Sequence, residues 1–143
     1  MIHISKILFI LVNLMLVPLA LAESVVVIVN EANTQNISEA DIKGIYNDNL
    51  VQWNDGSGIR SFDLPTRDPI REIFSQNVLG ISARDSAREW ANRRITNTAK
   101  NPPKTKREKL VVLYVMKDPH AIGYVSKSAI EGKTGIRVVL TIK

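Results

Sequence analysis

The chain has 143 residues, of which 45% are hydrophobic, 19 are Lys or Arg and 14 are Asp or Glu, and it contains no cysteine. That length suits one modest domain with one core, and the missing cysteines exclude a disulfide framework, thiol catalysis and cysteine-based metal sites. The mildly basic charge is spread out without interleaved aromatic residues, which argues against a nucleic-acid-binding protein.

Residues 1–22 have the pattern of a cleavable secretory signal peptide. Lys6 supplies the positive start, an almost unbroken apolar run follows over residues 7–21, and Ala20-Leu21-Ala22 is a small-x-small cleavage pattern. A membrane anchor fits less well, because the run is short for a span and no basic cluster follows it. We therefore expect a periplasmic mature domain over residues 23–143 that is not embedded in a membrane.

The mature chain opens with a predicted buried strand and a helix. Residues 23–30 contain the β-branched run SVVVIVN, which is short for a helix and apolar on both faces. Ser38 is predicted to cap the following helix, with Asp41 completing a capping box three residues later. Trp53, in the turn-rich link that follows, is expected to be a packing residue rather than a ligand platform.

A strand, a polar turn and a helix are predicted over residues 59–80. The strand covers Ile59–Leu64 and the turn covers Pro65–Asp68. Asp68 is a suitable N-cap, and Pro69 suits the first helical position because its missing N–H is not needed there. The helix closes at Gly80 and carries on one face the apolar residues Ile70, Ile73, Phe74 and Val78.

The turn before this helix is the strongest local candidate for a binding site. Free N–H groups and the positive end of a helix dipole favour anions at a helix N-terminus. Arg67 and Arg71 add two guanidinium groups that can reach the same point. Asp68 fills the cap and places a negative charge there, so an ordinary strand-to-helix connection stays open as the alternative.

The second half of the chain continues the alternation of helices and strands. Ser82 is predicted to cap a helix from Ala83 to about Ile95, and Asn97–Lys109 is predicted to be a mobile polar loop with a solvated basic cluster. The other predicted elements are a buried strand at Leu110–Met116, an extended piece at Ile122–Val125, a helical turn at Ser126–Glu131 and a last strand at Ile136–Ile142. The fold class expected is α/β, with a mixed, mostly parallel sheet flanked by helices.

The inventory of catalytic groups is poor, and no enzyme is expected. His120 stands beside Pro119 in a turn, without the cluster that a metal site needs. No serine lies in a Gly-x-Ser-x-Gly elbow, and Gly56-Ser57-Gly58 is not followed by the lysine of a phosphate-binding loop. Neither a cofactor nor a metal is expected.

Several segments together resemble the phosphate-binding proteins of ABC-type importers, which are type 2 periplasmic binding proteins. The family shows an apolar strand ending in Asn, a helix start with Ser or Thr, an aromatic helix end, and a Trp followed by Gly. Their order and spacing are matched across essentially the whole mature chain by Val25–Asn30, Ile37-Ser38, Ile45–Asp48, Trp53 with Gly56, Phe74, Val78–Gly80, Trp90, and AIGYV at Ala121–Val125.

The resemblance implies a domain similar to one lobe of such a protein. Full-size members clamp an oxyanion between two lobes, and this chain has the length of roughly one. The family pattern Arg-x-x-Gly-Ser-Gly-Thr falls where this chain has residues 66–71, TRDPIR, and the glycine-rich loop of the first lobe is missing. The candidate ligands of phosphate or a related oxyanion are therefore Thr66, Arg67 and Arg71.

The function predicted from these observations is an exported solute-binding-protein-like domain that binds phosphate or a related oxyanion and is linked to ABC-type phosphate uptake. Its expected partners are the oxyanion and an ABC permease or another envelope protein, and an oligomer that rebuilds the cleft stays open. The alternative is a periplasmic accessory or protein-interaction domain that kept the fold and lost the ligand.

Overall fold

A computed structural model describes residues 23–143, so the predicted signal peptide lies outside the described residues. In chain order the elements are β1 (Val25–Asn30), α1 (Glu39–Tyr46), β2 (Arg60–Asp63), α2 (Pro69–Phe74) continued by a π-helical turn (Ser75–Leu79), α3 (Ala83–Ile95), β3 (Lys104–Thr105), α4 (Glu108–Lys117), β4 (Ala121–Ser126), a 3-10 turn (Lys127–Ile130) and β5 (Ile136–Ile142). The sheet and the core that it buries are formed from this part of the chain, so we expect residues 23–143 to fold on their own.

The five strands form one sheet in the order β3-β2-β4-β1-β5. β2 pairs in parallel with both β3 and β4, whereas β1 pairs antiparallel with both β4 and β5. Four strands therefore point one way and β1 alone points the other way. The predicted α/β class with a mixed, mostly parallel sheet is confirmed, and the run VVVIVN is a fully buried strand as predicted.

Helices cover both faces of the sheet, because successive side chains of a strand point to opposite sides. On one face the ring of Tyr124 in β4 packs against Tyr46 of α1 and Phe74 of α2. On the other face Gly123 leaves room for α4, since a Cβ atom there would lie 2.5 Å from Cγ1 of Val111. Substitution of this glycine would force α4 away from the sheet.

Local capping determines where α1, α2 and α3 begin, as the sequence predicts. Ser38 and Asp41 form the reciprocal capping box of α1. The side chain of Asp68 accepts a hydrogen bond from Ile70 N at 2.9 Å, with Pro69 as the first residue of α2. Ser82 caps α3 in the same way. The helix that starts at Pro69 changes to a π-helical turn before it ends at Gly80, whose φ of 72° is left-handed.

One predicted element is wrong: the run Leu110–Met116 is not a buried strand but the greater part of helix α4. Its β-branched residues favour a strand locally, but Val111, Val112 and Val115 bury one side of a helix against the sheet. The flanking Glu108 and Lys117 extend the element to ten residues, the length of a helix rather than a strand. Tertiary packing thus overrides local propensity here.

The polar segment Asn97–Lys109, predicted to be mobile, is attached to the body of the domain. The buried carboxylate of Asp48 accepts hydrogen bonds from Lys100 N at 2.7 Å and Asn101 N at 2.9 Å. The side chain of Asn101 donates to Ile59 O at 2.8 Å. The two residues of β3 then add a short parallel strand beside β2, which brings this segment to the edge of the candidate site.

Candidate functional site

A small cleft lies where the parallel strands β2 and β3 end. Its volume is 110 Å³, several times the roughly 30 Å³ that one water molecule takes up in the liquid. Open α/β sheets bind their ligands at the carboxyl ends of the strands, which is where this cleft is found. The cleft is lined by residues from the ends of β2 and β3, the turn after β2, helices α2 and α3, and the segment before β3. These residues are Asp63, Thr66, Arg71, Ala87, Trp90, Arg94, Pro103 and Thr105.

Arg71 is a buried cation at the wall of this cleft, with a relative exposure of 5%. Its Nη1 donates to Leu64 O at 2.9 Å and approaches Oγ1 of Thr66 at 3.5 Å. Its Nη2 lies 3.6 Å from Oδ2 of Asp63. The last residues of β2 and the turn therefore fix the guanidinium in one position before any ligand arrives.

Asp63 is the buried carboxylate that faces this arginine. Its Oδ1 accepts a hydrogen bond from the hydroxyl of Tyr124, which in turn accepts one from Leu64 N at 3.1 Å. Burial raises the pKa of Asp63 above its ordinary value of 3.8, although the charge of Arg71 and the Tyr124 hydrogen bond act to lower it. Burial, and then the charge of Asp63, raise the pKa of Tyr124 well above 10.0, so this phenol stays a neutral donor.

The raised pKa of Asp63 determines the sign of its effect on stability. Because the folded state holds this proton more tightly than the unfolded chain, the contribution of Asp63 is greatest at low pH and is lost as the pH rises through the folded pKa. We expect the wild type to gain stability relative to an Asp63→Asn variant, which cannot titrate, as the pH is lowered from about 7 to about 4. Urea unfolding of both proteins measures this difference.

Acidic groups elsewhere affect both proteins equally and cancel in that comparison. Asp118 is one of them: burial raises its pKa, but the hydrogen bonds from Arg60 and from the backbone of His120 more than offset this, and the net shift is downward. A wild type that loses stability relative to the Asn variant at low pH would mean that the attraction of Arg71, not burial, decides the protonation of Asp63.

The structure brings two of the three predicted site residues together. Thr66 and Arg71 both line the cleft, whereas Arg67 is exposed in the same turn and is not among the lining residues. Asp68 caps α2, so the N-terminus of this helix is occupied by its own side chain. The cleft beside the turn, rather than the helix N-terminus, is thus the place where polar groups converge.

Among the charged and hydroxyl-bearing lining residues, sequence reasoning missed three: Asp63, Arg94 and Thr105. Asp63 ends an otherwise apolar strand directly before the turn, and a carboxylate in that position is a signal that can be recognised. Arg94 follows Trp90 by one helical turn, which places both on the same side of α3. No local sequence pattern indicates that Thr105 lines the cleft, because its position depends on the pairing of β3 with β2.

The charges of the cleft suit one small anion. Two guanidinium groups, of Arg71 and Arg94, face one carboxylate, and the hydroxyls of Thr66 and Thr105 add hydrogen-bond donors. The described residues contain no group of three or more His, Asp or Glu side chains placed to hold a metal ion. Within residues 23–143, no helix combines the length and the apolar character that crossing a membrane requires.

No protein-family model and no curated protein matches the sequence, but solved structures match the fold. An ABC-type phosphate transport receptor from Vibrio cholerae superposes with a TM-score of 0.61 at 13% identity, over 82% of this chain and 45% of its own. PstS from Borrelia burgdorferi gives a TM-score of 0.59 at 16% identity, over 82% of this chain and 46% of its own.

A third match comes from Clostridium perfringens, from a protein assigned as a phosphate ABC transporter substrate-binding protein and solved with bound phosphate. It has a TM-score of 0.62 at 17% identity, over 82% of this chain and 44% of its own. The chain spans less than half the length of each of these three structures. The domain therefore has the fold of one lobe of a phosphate-type periplasmic binding protein, as the sequence resemblance predicted.

Proposed function

We propose that this chain is an exported, single-lobe solute-binding domain that binds phosphate or a related oxyanion in the cleft at the ends of β2 and β3. The observation that carries the proposal is the buried guanidinium of Arg71, which faces this cleft together with Thr66 and Arg94. Support for the ligand class comes from the structural neighbours, which are phosphate-binding transport proteins rather than enzymes. A link to an ABC permease and a periplasmic location are parts of the same proposal.

Pre-organisation is the physical basis of binding at this site. Arg71 is held by Leu64 O and Asp63, so an arriving anion need not order a flexible side chain. An oxyanion gains charge-assisted hydrogen bonds from the guanidinium and from the hydroxyl of Thr66. Arg94 is exposed and supplies the second positive charge from α3.

The affinity is expected to be weak, because one lobe surrounds the anion on one side only. A Kd of about 1 mM, which corresponds to about −4 kcal/mol, is the scale that we expect for the isolated domain. A second copy or another envelope protein placed over the cleft would add the missing donors. We therefore expect tight binding only when a second copy or another envelope protein covers the cleft.

Calorimetric titration of residues 23–143 with phosphate and with sulfate tests the proposal. We expect saturable heat with phosphate, reduced at least about threefold in affinity by Arg94→Gln and by Thr66→Val, since each removes one charge or donor from the cleft. Arg67→Gln is the matched control: it removes an arginine from the same turn, but outside the lining of the cleft. An Arg67→Gln variant that loses binding while Arg94→Gln keeps it would move the site to the exposed side of the turn.

The second candidate is an accessory protein-interaction domain of the envelope that kept the fold and lost the ligand. The observation in its favour is that Asp63 already lies beside Arg71 and neutralises part of the charge that an anion would need. The absence of saturable heat at millimolar phosphate and sulfate would favour this role.

A further inference from the structure

Helix α4 has an apolar outer surface, which is unusual for a helix that packs on a sheet. Leu110, Leu113 and Tyr114 are 42%, 43% and 42% exposed, and they follow the spacing i, i+3, i+4 along one side. The opposite side is formed by valines buried against the sheet. The ring of Tyr114 stacks on Phe62 of β2 at a centroid distance of 5.1 Å, so this side chain is partly covered by the sheet. The outer stripe of Leu110, Leu113 and Tyr114 is thus a small, half-exposed apolar patch that a second apolar surface can cover.

Positive charges surround this outer stripe. The ammonium group of Lys106 lies 6.0 Å from the ring centroid of Tyr114 on one flank. On the other flank, Lys109 and Leu113 line a groove between α4 and the 3-10 turn that follows β4. Lys117 ends the helix. Arg107 precedes the first helical residue and is exposed. The basic cluster seen in the sequence is thereby placed around apolar side chains.

These cations, Lys106, Arg107, Lys109 and Lys117, form no ion pair with an acidic side chain among the residues that the structure describes. The acidic residue of α4, Glu108, accepts a hydrogen bond from Ser126 N at 2.6 Å, and Asp118 at its end pairs with Arg60 at 2.8 Å. The surface around the stripe is therefore positively charged and complementary to an anionic partner.

We propose that the outer stripe of α4 and its surrounding cations bind the surface of a membrane that contains anionic phospholipids. The apolar side chains would enter the boundary between headgroups and acyl chains, while the lysine stems extend their charged ends to the phosphate groups. A tyrosine suits this position because one end of its ring is apolar and the other is polar. A fluid membrane surface does not need a shape that matches the helix. Electrostatic attraction to its anionic headgroups adds to the binding free energy of a small apolar contact. The proposal does not depend on the oxyanion cleft.

Co-sedimentation with vesicles tests this proposal on residues 23–143, which leave out the apolar run at residues 7–21. We expect binding to vesicles of equal parts phosphatidylglycerol and phosphatidylcholine at about 50 mM salt, and at least about tenfold weaker binding to pure phosphatidylcholine or at about 500 mM salt. Leu110→Gln with Leu113→Gln tests the apolar part and keeps the charge. Lys109→Gln with Lys117→Gln tests the charge and keeps the apolar stripe.

Helix α3 offers matched controls on another surface. Ile95 is 82% exposed, so Ile95→Gln removes an exposed apolar side chain, and Arg84→Gln with Arg88→Gln removes two exposed charges. We expect both α4 double variants to lower vesicle affinity at least about tenfold and both controls to stay within about twofold. The lysine pair is exposed, so it tests the proposal even where the leucine pair disturbs folding. Failure of the wild type to bind anionic vesicles, or equal losses from the α3 controls, would overturn it and leave α4 as a surface for a protein partner.

Discussion

Replacement of Arg71 by Met is expected to lower the free energy of unfolding by about 3–5 kcal/mol. The side chains of Arg71 and Asp63 are 6% and 8% exposed, so removal of the cation leaves a carboxylate buried without its counter-charge. The carbonyl of Leu64 also loses the donor that lies 2.9 Å away. Urea unfolding at neutral pH measures the loss.

A double variant distinguishes the ion pair from packing. Asp63→Asn with Arg71→Met removes both charges, and we expect it to recover at least about 1 kcal/mol relative to Arg71→Met alone. Arg94→Met is the matched control, because this exposed arginine lines the same cleft. It should change stability by no more than about 0.5 kcal/mol. Additive effects of the two single substitutions would show that Asp63 and Arg71 do not stabilise each other.

Replacement of Phe74 by Ala is expected to cost about 3–5 kcal/mol, the range for a large side chain deleted from a core. Phe74 is 1% exposed. Its ring stacks on Tyr124 at a centroid distance of 3.9 Å and meets Tyr46 edge-on at 4.9 Å. The cavity left by the substitution would lie between α2 and the middle strand of the sheet, and thermal or urea unfolding reports its cost.

The core and the cleft are connected through Tyr124, which stacks on Phe74 and donates its hydroxyl hydrogen to Asp63. We therefore expect Phe74→Ala to weaken phosphate binding as well as stability. Ile95→Ala, at an exposed position of α3, serves as the control and should stay within about 0.5 kcal/mol of the wild type. A loss in Phe74→Ala below about 1 kcal/mol would mean that the aromatic cluster repacks around the missing ring.

The parts of the fold that follow from local chemistry were predictable from the sequence. Ser38, Asp68 and Ser82 begin their helices where their side chains can accept hydrogen bonds from nearby N–H groups. The β-branched runs at Val25–Asn30 and Ile136–Ile142 are strands with the predicted boundaries or within one or two residues of them. Each of these outcomes depends on neighbours in sequence.

The predictions that were wrong or incomplete concern features that depend on contacts between residues distant in sequence. Helix α4 has the composition of a strand and becomes a helix that packs on Gly123, twelve residues beyond Val111. The contact between Asp63 and Tyr124 joins residues 61 positions apart. Spacing along the chain shows neither contact. The carboxylate of the cleft was therefore missed, whereas Thr66 and Arg71, which lie in one turn and the helix after it, could be predicted as candidate ligands.

The proposed function requires that one small oxyanion binds between the ends of β2 and β3. The most direct test is to titrate isotopically labelled residues 23–143 with phosphate to about 20 mM and to follow each backbone amide by NMR. We expect shifts that saturate together at the amides of Thr66, Arg71, Arg94 and Thr105. Unsaturated shifts, or shifts confined to the basic residues Lys106, Arg107 and Lys109, would contradict it.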